Sequence, residues 1–150
     1  MSKHIIVTLD GPAGVGKTTL ARNVATELNV SYLDTGAMFR ALALHLGEES
    51  WELPEKELAE KLSGIEFSLS GVGKGSVLKV NDQPLSEEIR SERVGMWASN
   101  LATLGVIRDF LKEQQQHIGE STSLVAEGRD MGTVVFPKAT HKFFLDASPE

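Results

Sequence analysis

The stretch "HIIVTLDGPAGVGKTTLARNVATEL" at residues 4–28 decides how this chain is read. Its first part, 4–10, is an apolar run rich in β-branched residues, which suits a strand buried on both faces of a parallel sheet. Its last part sets Leu20, Val24, Ala25 and Leu28 at helical spacing. Between them Gly11, Pro12, Ala13, Gly14, Val15, Gly16, Lys17 and Thr18 fill the pattern G-x-x-x-x-G-K-[ST], with Thr19 next. Small residues here let successive backbone N–H groups turn inward, and the start of the helix adds partial positive charge. Such a loop cradles the phosphates of a nucleotide. Lys17 would reach the β- and γ-phosphates, and the Thr18 hydroxyl would ligate Mg²⁺. Residues 11–19 are therefore the candidate triphosphate-binding residues.

A near-copy of this loop, "GVGKGS" at 71–76, fails the same criteria. Ser68 stands where the first glycine is required, and Ser76 does not directly follow Lys74. Its flanks alternate in hydrophobicity, with Ile65, Phe67 and Leu69 before it and 77–80 after it. That pattern predicts a small antiparallel hairpin whose glycines supply positive φ angles. The second stretch is read as a turn.

Composition narrows the classes. The chain has 150 residues, 41% hydrophobic and 24% charged, as expected of one ordinary globular domain. A net charge of −6 argues against a nonspecific nucleic-acid binder. With no cysteine there is no disulfide and no thiolate zinc site, a usage that fits the cytoplasm. The apolar runs are short, and "MSKHIIVTLD" has no signal-peptide pattern. The expectation is a cytoplasmic protein with no membrane and no nucleic-acid partner.

Further along, strand candidates fall at 30–33, 123–128 and 141–147. Helices are predicted through Met38, Ala41, Leu42 and His45 to Gly47, and over 54–62 with Pro54 at the first helical position. Helical period returns from Ser86, with Gly105 as a kink or a break between two helices. Strands alternating with helices, interrupted by a hairpin, give an α/β layered fold.

Two kinds of nucleotide protein compete, a GTP-driven switch and a small-molecule kinase. A guanine-specific switch would carry N-K-x-D for the base, and none occurs; nor does D-x-x-G follow the second strand. A kinase needs cations converging on the acceptor and the transferring group. Of six arginines, Arg40 follows a short strand and Arg129 follows a buried one, beside Asp130. In open α/β sheets the ligand crevice lies at those carboxyl ends. Arg22 and Arg90 read as surface charges, and an internal Arg129–Asp130 ion pair is the bland alternative.

Together "LDGPAGVGKTTLA", "LDTGAMFRALAL", "SEEIR", "VAEGRDMGTVVFP" and "KFFLDASPE" resemble, in order and spacing, the bacterial cytidylate kinases. The likeness runs through essentially the whole chain. It implies a three-layer P-loop kinase fold with a parallel core sheet of five strands. The 150 residues would form the N-terminal portion of a single kinase domain, with a hairpin-containing monophosphate-binding insert at about 65–85. It implies a monomer that transfers the ATP γ-phosphate, with Mg²⁺, to CMP or dCMP. Alternatives are a P-loop kinase for another small acceptor and a noncatalytic nucleotide-binding module.

Carried over by position, the family's acceptor-site residues fall on Thr35, Arg40, Ser99, Arg108, Arg129 and Asp130. Arg40 and Arg129 would grip the CMP phosphate with guanidinium forks. With Lys17 they are the candidate catalytic residues. Ser99, Arg108 and Asp130 would read the cytosine edge, Asp130 accepting from the N4 amino group. Ser99 taken alone would be an ordinary helix-surface serine. Thr35 stands where the family commonly has serine, Phe39 where it has tyrosine, and Gly105 near a usual proline. "DASPE" predicts a helix with Ser148 as N-cap and Pro149 first. Nothing in 1–150 reads as the family's arginine-bearing lid or final core strand, so this stretch is expected to be inactive as a kinase on its own.

Overall fold

In a computed structural model, residues 4–12 and 14–146 are described. Along the chain run β1 (Ile6–Asp10), α1 (Lys17–Leu28), β2 (Ser31–Asp34), α2 (Thr35–Leu46), α3 (Glu55–Leu62), β3 (Phe67–Ser70) and β4 (Val77–Val80). There follow β5 (Gln83–Pro84), α4 (Glu92–Leu101), α5 (Gly105–Ser121), β6 (Leu124–Gly128) and β7 (His141–Phe144). The expected helix at Ser148 and Pro149 lies outside the described residues, as does Ala13 of the loop. No described helix is long and apolar enough to cross a membrane.

The chain divides into two compact units. The first holds the described residues up to Thr35, Leu69–Val77 and those from Gln115 onward. Here β2, β6, β1 and β7 stand side by side in that order, every pairing parallel. Asp10 lies opposite Gly128 and Phe144, and Asp34 opposite Glu127. The carboxyl ends of all four strands therefore share one edge. The mixed α/β architecture with a parallel core matches the sequence expectation. Val7, Leu9, Val30, Tyr32 and Val125 form its core with Ala21 and Ala25 of α1.

That face of α1 bears out the periodicity reading at Val24 and Ala25 and corrects it at the two leucines. Leu20 and Leu28 are 41% and 48% exposed, while Ala21 and Ala25 are fully buried. The small side chains let the helix backbone come close to the sheet. On α2, likewise, His45 is exposed while Met38, Ala41 and Leu42 are buried.

The look-alike loop 71–76 packs on the same unit. The Gly73 N–H donates to the Val30 carbonyl at 2.7 Å, and the Ser31 hydroxyl to the Gly71 carbonyl at 2.6 Å. The Ser76 hydroxyl oxygen accepts from the Tyr32 N–H at 2.8 Å. Gly73 has φ +54, and a Cβ there would stand 2.5 Å from Thr26 Oγ1 and 2.8 Å from Thr26 Cα. Gly73 thus serves the close approach of two backbones, and Lys74 is exposed. Gly73→Ala should cost about 1–3 kcal/mol from strain and overlap. Its melting temperature should fall by roughly 2–4 °C per kcal/mol. Gly75→Ala, with nothing within 4 Å, should melt like the unmodified protein. Equal melting of both variants would contradict the docked loop.

The second unit comprises Gly36–Ser68 and Leu78–Gln114. Its α3 starts one residue later than the sequence suggested. Pro54 is the N-cap, with extended φ −56 and ψ 144, and Leu58 and Leu62 are buried. The Ser91 hydroxyl caps α4 by accepting from the Val94 N–H at 3.2 Å. The helices α4 and α5 are separate, and Gly105 opens the second. The tight hairpin is β4–β5, antiparallel, turning at Asn81 and Asp82 with φ 48 and 63. Two consecutive positive φ angles suit a two-residue hairpin turn. The alternation read before 71–76 belongs to β3, which lies next to β4 in the same small sheet.

Candidate active site

At the carboxyl edge of the parallel sheet, β1 passes into α1 through the glycine loop. Gly11 has φ +150, and a Cβ there would overlap the Leu145 carbonyl, so only glycine fits. Gly14 and Gly16 also have positive φ, and Gly16 opens α1 with no side-chain cap. The first N–H groups of α1 are thus left to a ligand or to water.

Lys17 spans this edge. Its Nζ donates to the Gly11 carbonyl at 2.6 Å and to the Gly128 carbonyl at 3.0 Å. The ammonium therefore sits between the start of the loop and the strand end that precedes Arg129. An open cleft beside it is lined by Gly11, Pro12, Arg129, Phe144 and Asp146. Arg129 and Asp130 are exposed, and neither makes an ion pair among the described residues. The bland ion-pair reading of this dipeptide is not seen there. Arg22 lies 5.4 Å over the Tyr32 ring, and Arg90 makes an exposed pair with Glu87 at 3.5 Å.

A carboxylate that sequence reading passed over lies at the centre. Glu127 on β6 is 8% exposed. Its Oε2 accepts from the Thr18 hydroxyl at 3.2 Å, and its Oε1 from the Tyr32 hydroxyl at 2.5 Å. Burial, then the charge of Asp34, then the bond to Glu127 hold the Tyr32 phenol far above its usual pKa. It stays protonated and acts as a donor. Thr18 and Glu127 thus bring a hydroxyl and a carboxylate oxygen together, both hard ligands of the kind Mg²⁺ takes. The signal was present in "SLVAEG": one acid ending an otherwise apolar buried strand.

Of the acceptor-site candidates, Thr35 is buried, and its hydroxyl donates to the Glu127 carbonyl at 2.7 Å. Its oxygen remains an acceptor. This unit brings Thr35, Lys17, Thr18 and the Arg129–Asp130 turn to the sheet edge. In the second unit Arg40 is exposed on α2, and its Nε lies 4.0 Å from where a Cβ on Gly95 would stand. Ser99 is exposed on α4, its hydroxyl donating to the Gly95 carbonyl at 3.1 Å, and Arg108 is exposed on α5.

The family model described as cytidylate kinase matches residues 7–150. A protein named cytidylate kinase from Oleidesulfovibrio alaskensis is 59% identical over 150 residues, covering 100% of this chain and 68% of its own length. One of the same name from Maridesulfovibrio salexigens is 55% identical, covering 100% and 67%. The chain spans about two thirds of the length of such curated relatives. A solved structure of shikimate kinase from Bacteroides thetaiotaomicron aligns with TM-score 0.45 and 16% identity, over 97% of this chain and 58% of that one.

Proposed function

The chain belongs to the cytidylate kinase family, and from that premise we propose that its protein transfers the γ-phosphate of ATP to CMP or dCMP. The products are CDP or dCDP and ADP. The observation that carries this reading is Lys17, whose ammonium bridges the phosphate loop and the strand end that leads into Arg129. That Lys17 and the strand end before Arg129 share one sheet edge supports the reading.

In the proposed mechanism the backbone N–H groups of the 11–19 loop, all but that of Pro12, are available to the donor phosphates, and Lys17 turns from its two carbonyls to the β- and γ-oxygens. Thr18 and Glu127 would hold Mg²⁺, which supplies charge neutralisation of the phosphates when bound. Arg40 and Arg129 fix the acceptor phosphate in line, so the step needs no covalent intermediate. Thr35, Ser99, Arg108 and Asp130 orient the CMP, Asp130 accepting from its N4 amino group. The segment at about 65–85 is proposed as the monophosphate-side insert of a single kinase domain. We extend the proposal to a cytoplasmic monomer.

Base choice tests the reading. In a coupled ADP-release assay the full-length protein should accept CMP and dCMP well, UMP poorly and AMP hardly at all. Asp130→Asn should narrow the CMP-to-UMP gap by roughly 10- to 100-fold, because an amide can turn a donor to uracil O4. Equal turnover of AMP and CMP by the unmodified protein would sink it.

A further inference from the structure

We propose that Asp10 is a positioning residue for the acceptor end of the site, acting through the main chain that carries Arg129 and Asp130. The inference rests on the acceptor role proposed above for those two residues, and it adds a residue to which that reading gives no part.

Asp10 is the last residue of β1 and only 6% exposed. A buried carboxylate is costly unless its oxygens are hydrogen-bonded. Both are: Oδ1 accepts from the Met131 N–H at 2.8 Å, and Oδ2 from the Gly132 N–H at 2.9 Å. These two consecutive amides open a single π-turn, Met131–Val135, that follows directly on Arg129 and Asp130. The first N–H groups of any helical turn have no partner within it. Asp130 itself, at the N-cap position, offers no side-chain cap. A carboxylate from another strand does the capping instead.

The anchor is rigid. β1 lies between β6 and β7, and the Asp10 carbonyl accepts from the Leu145 N–H at 2.7 Å. Arg129 and Asp130, by contrast, are exposed and make no ion pair among the described residues. Their side chains are aimed by their backbone, and that backbone is held from Asp10. The same residue leads into Gly11, so one carboxylate sets the turn that carries the acceptor groups against the loop that carries the donor.

A structural role alone would lower stability and the active fraction. Positioning predicts a split between the substrates. Asp10→Asn replaces one acceptor oxygen with an N–H that faces another N–H, which displaces the turn. In the full-length protein KM for CMP should rise about 10- to 100-fold, while KM for ATP stays within about twofold. The preference for CMP over UMP should shrink as well. Arg129→Lys and Asp130→Asn, measured alongside, separate the two readings. If both leave KM for CMP unchanged, the acceptor reading fails and the inference falls with it. If they raise it while Asp10→Asn raises both KM values equally, or lowers only kcat and melting temperature, the acceptor reading stands and the Asp10 inference is wrong. Should Asp10→Asn not fold, hydrogen exchange on the unmodified protein decides. The Met131 and Gly132 amides should exchange far more slowly than that of Thr133, and equal rates would overturn the clamp.

Discussion

Lys17→Ala in the full-length protein is expected to lower kcat by about 10²–10³ or more, the loss typical when one preorganised donor to developing charge is removed. Lys17 is the lysine of the glycine loop proposed to bind phosphate, and its Nζ is placed on two carbonyls at the sheet edge. Alanine leaves those carbonyls to water and removes a positive charge from the transferring group. Arginine should not restore the rate, since a planar fork cannot replace a compact ammonium in so close a loop. Lys74→Ala is the matched control, because Lys74 is exposed in a loop that is hydrogen-bonded to Val30, Ser31 and Tyr32. Its turnover should equal that of the unmodified protein. Steady-state kinetics with melting curves on all three variants check this. A Lys74→Ala loss larger than that of Lys17→Ala would reverse the assignment.

A second large effect is expected at Arg129. Arg129→Ala should cut kcat/KM for CMP by about 10³-fold, the lower range for removing an arginine that stabilises charge in phosphoryl transfer. Binding of ATP should change little, because the proposed donor contacts are made by Lys17 and the backbone of the 11–19 loop. The melting temperature should hold, since Arg129 is exposed and has no ion-pair partner among the described residues. Calorimetry with CMP and with an unreactive ATP analogue, beside the kinetics, separates these statements. A variant that loses ATP affinity but keeps CMP affinity would place Arg129 on the donor side instead.

The parts of this molecule legible in the sequence are those set by local chemistry. A β-branched run, a glycine loop and a helix opening at Lys17 are specified within 25 residues, and β1 and α1 form there. Gly47 ends α2 with φ +90 and an N–H on the Ala43 carbonyl, as a glycine after an apolar helix suggests. What escaped were features that depend on partners far along the chain. Glu127 matters because Thr18 and Tyr32 converge on it, and each lies more than 90 residues away. Asp10 looks like a strand end until Met131 and Gly132 are brought to it. The docking of 71–76 depends on Val30, Ser31 and Tyr32, so its glycines look like those of a free turn. On α1 the periodic leucines misled, since the alanines beside them face the sheet.

The central claim is that residues 11–19, and not 71–76, hold the donor phosphates. Backbone amide chemical shifts of the full-length protein, followed while a Mg²⁺ complex of an unreactive ATP analogue is added, test it most directly. The account predicts large, saturable shifts at Gly14, Gly16, Lys17 and Thr18, with Gly71, Gly73 and Gly75 hardly moving. Large shifts at 71–76 with the loop at 11–19 unmoved would contradict it.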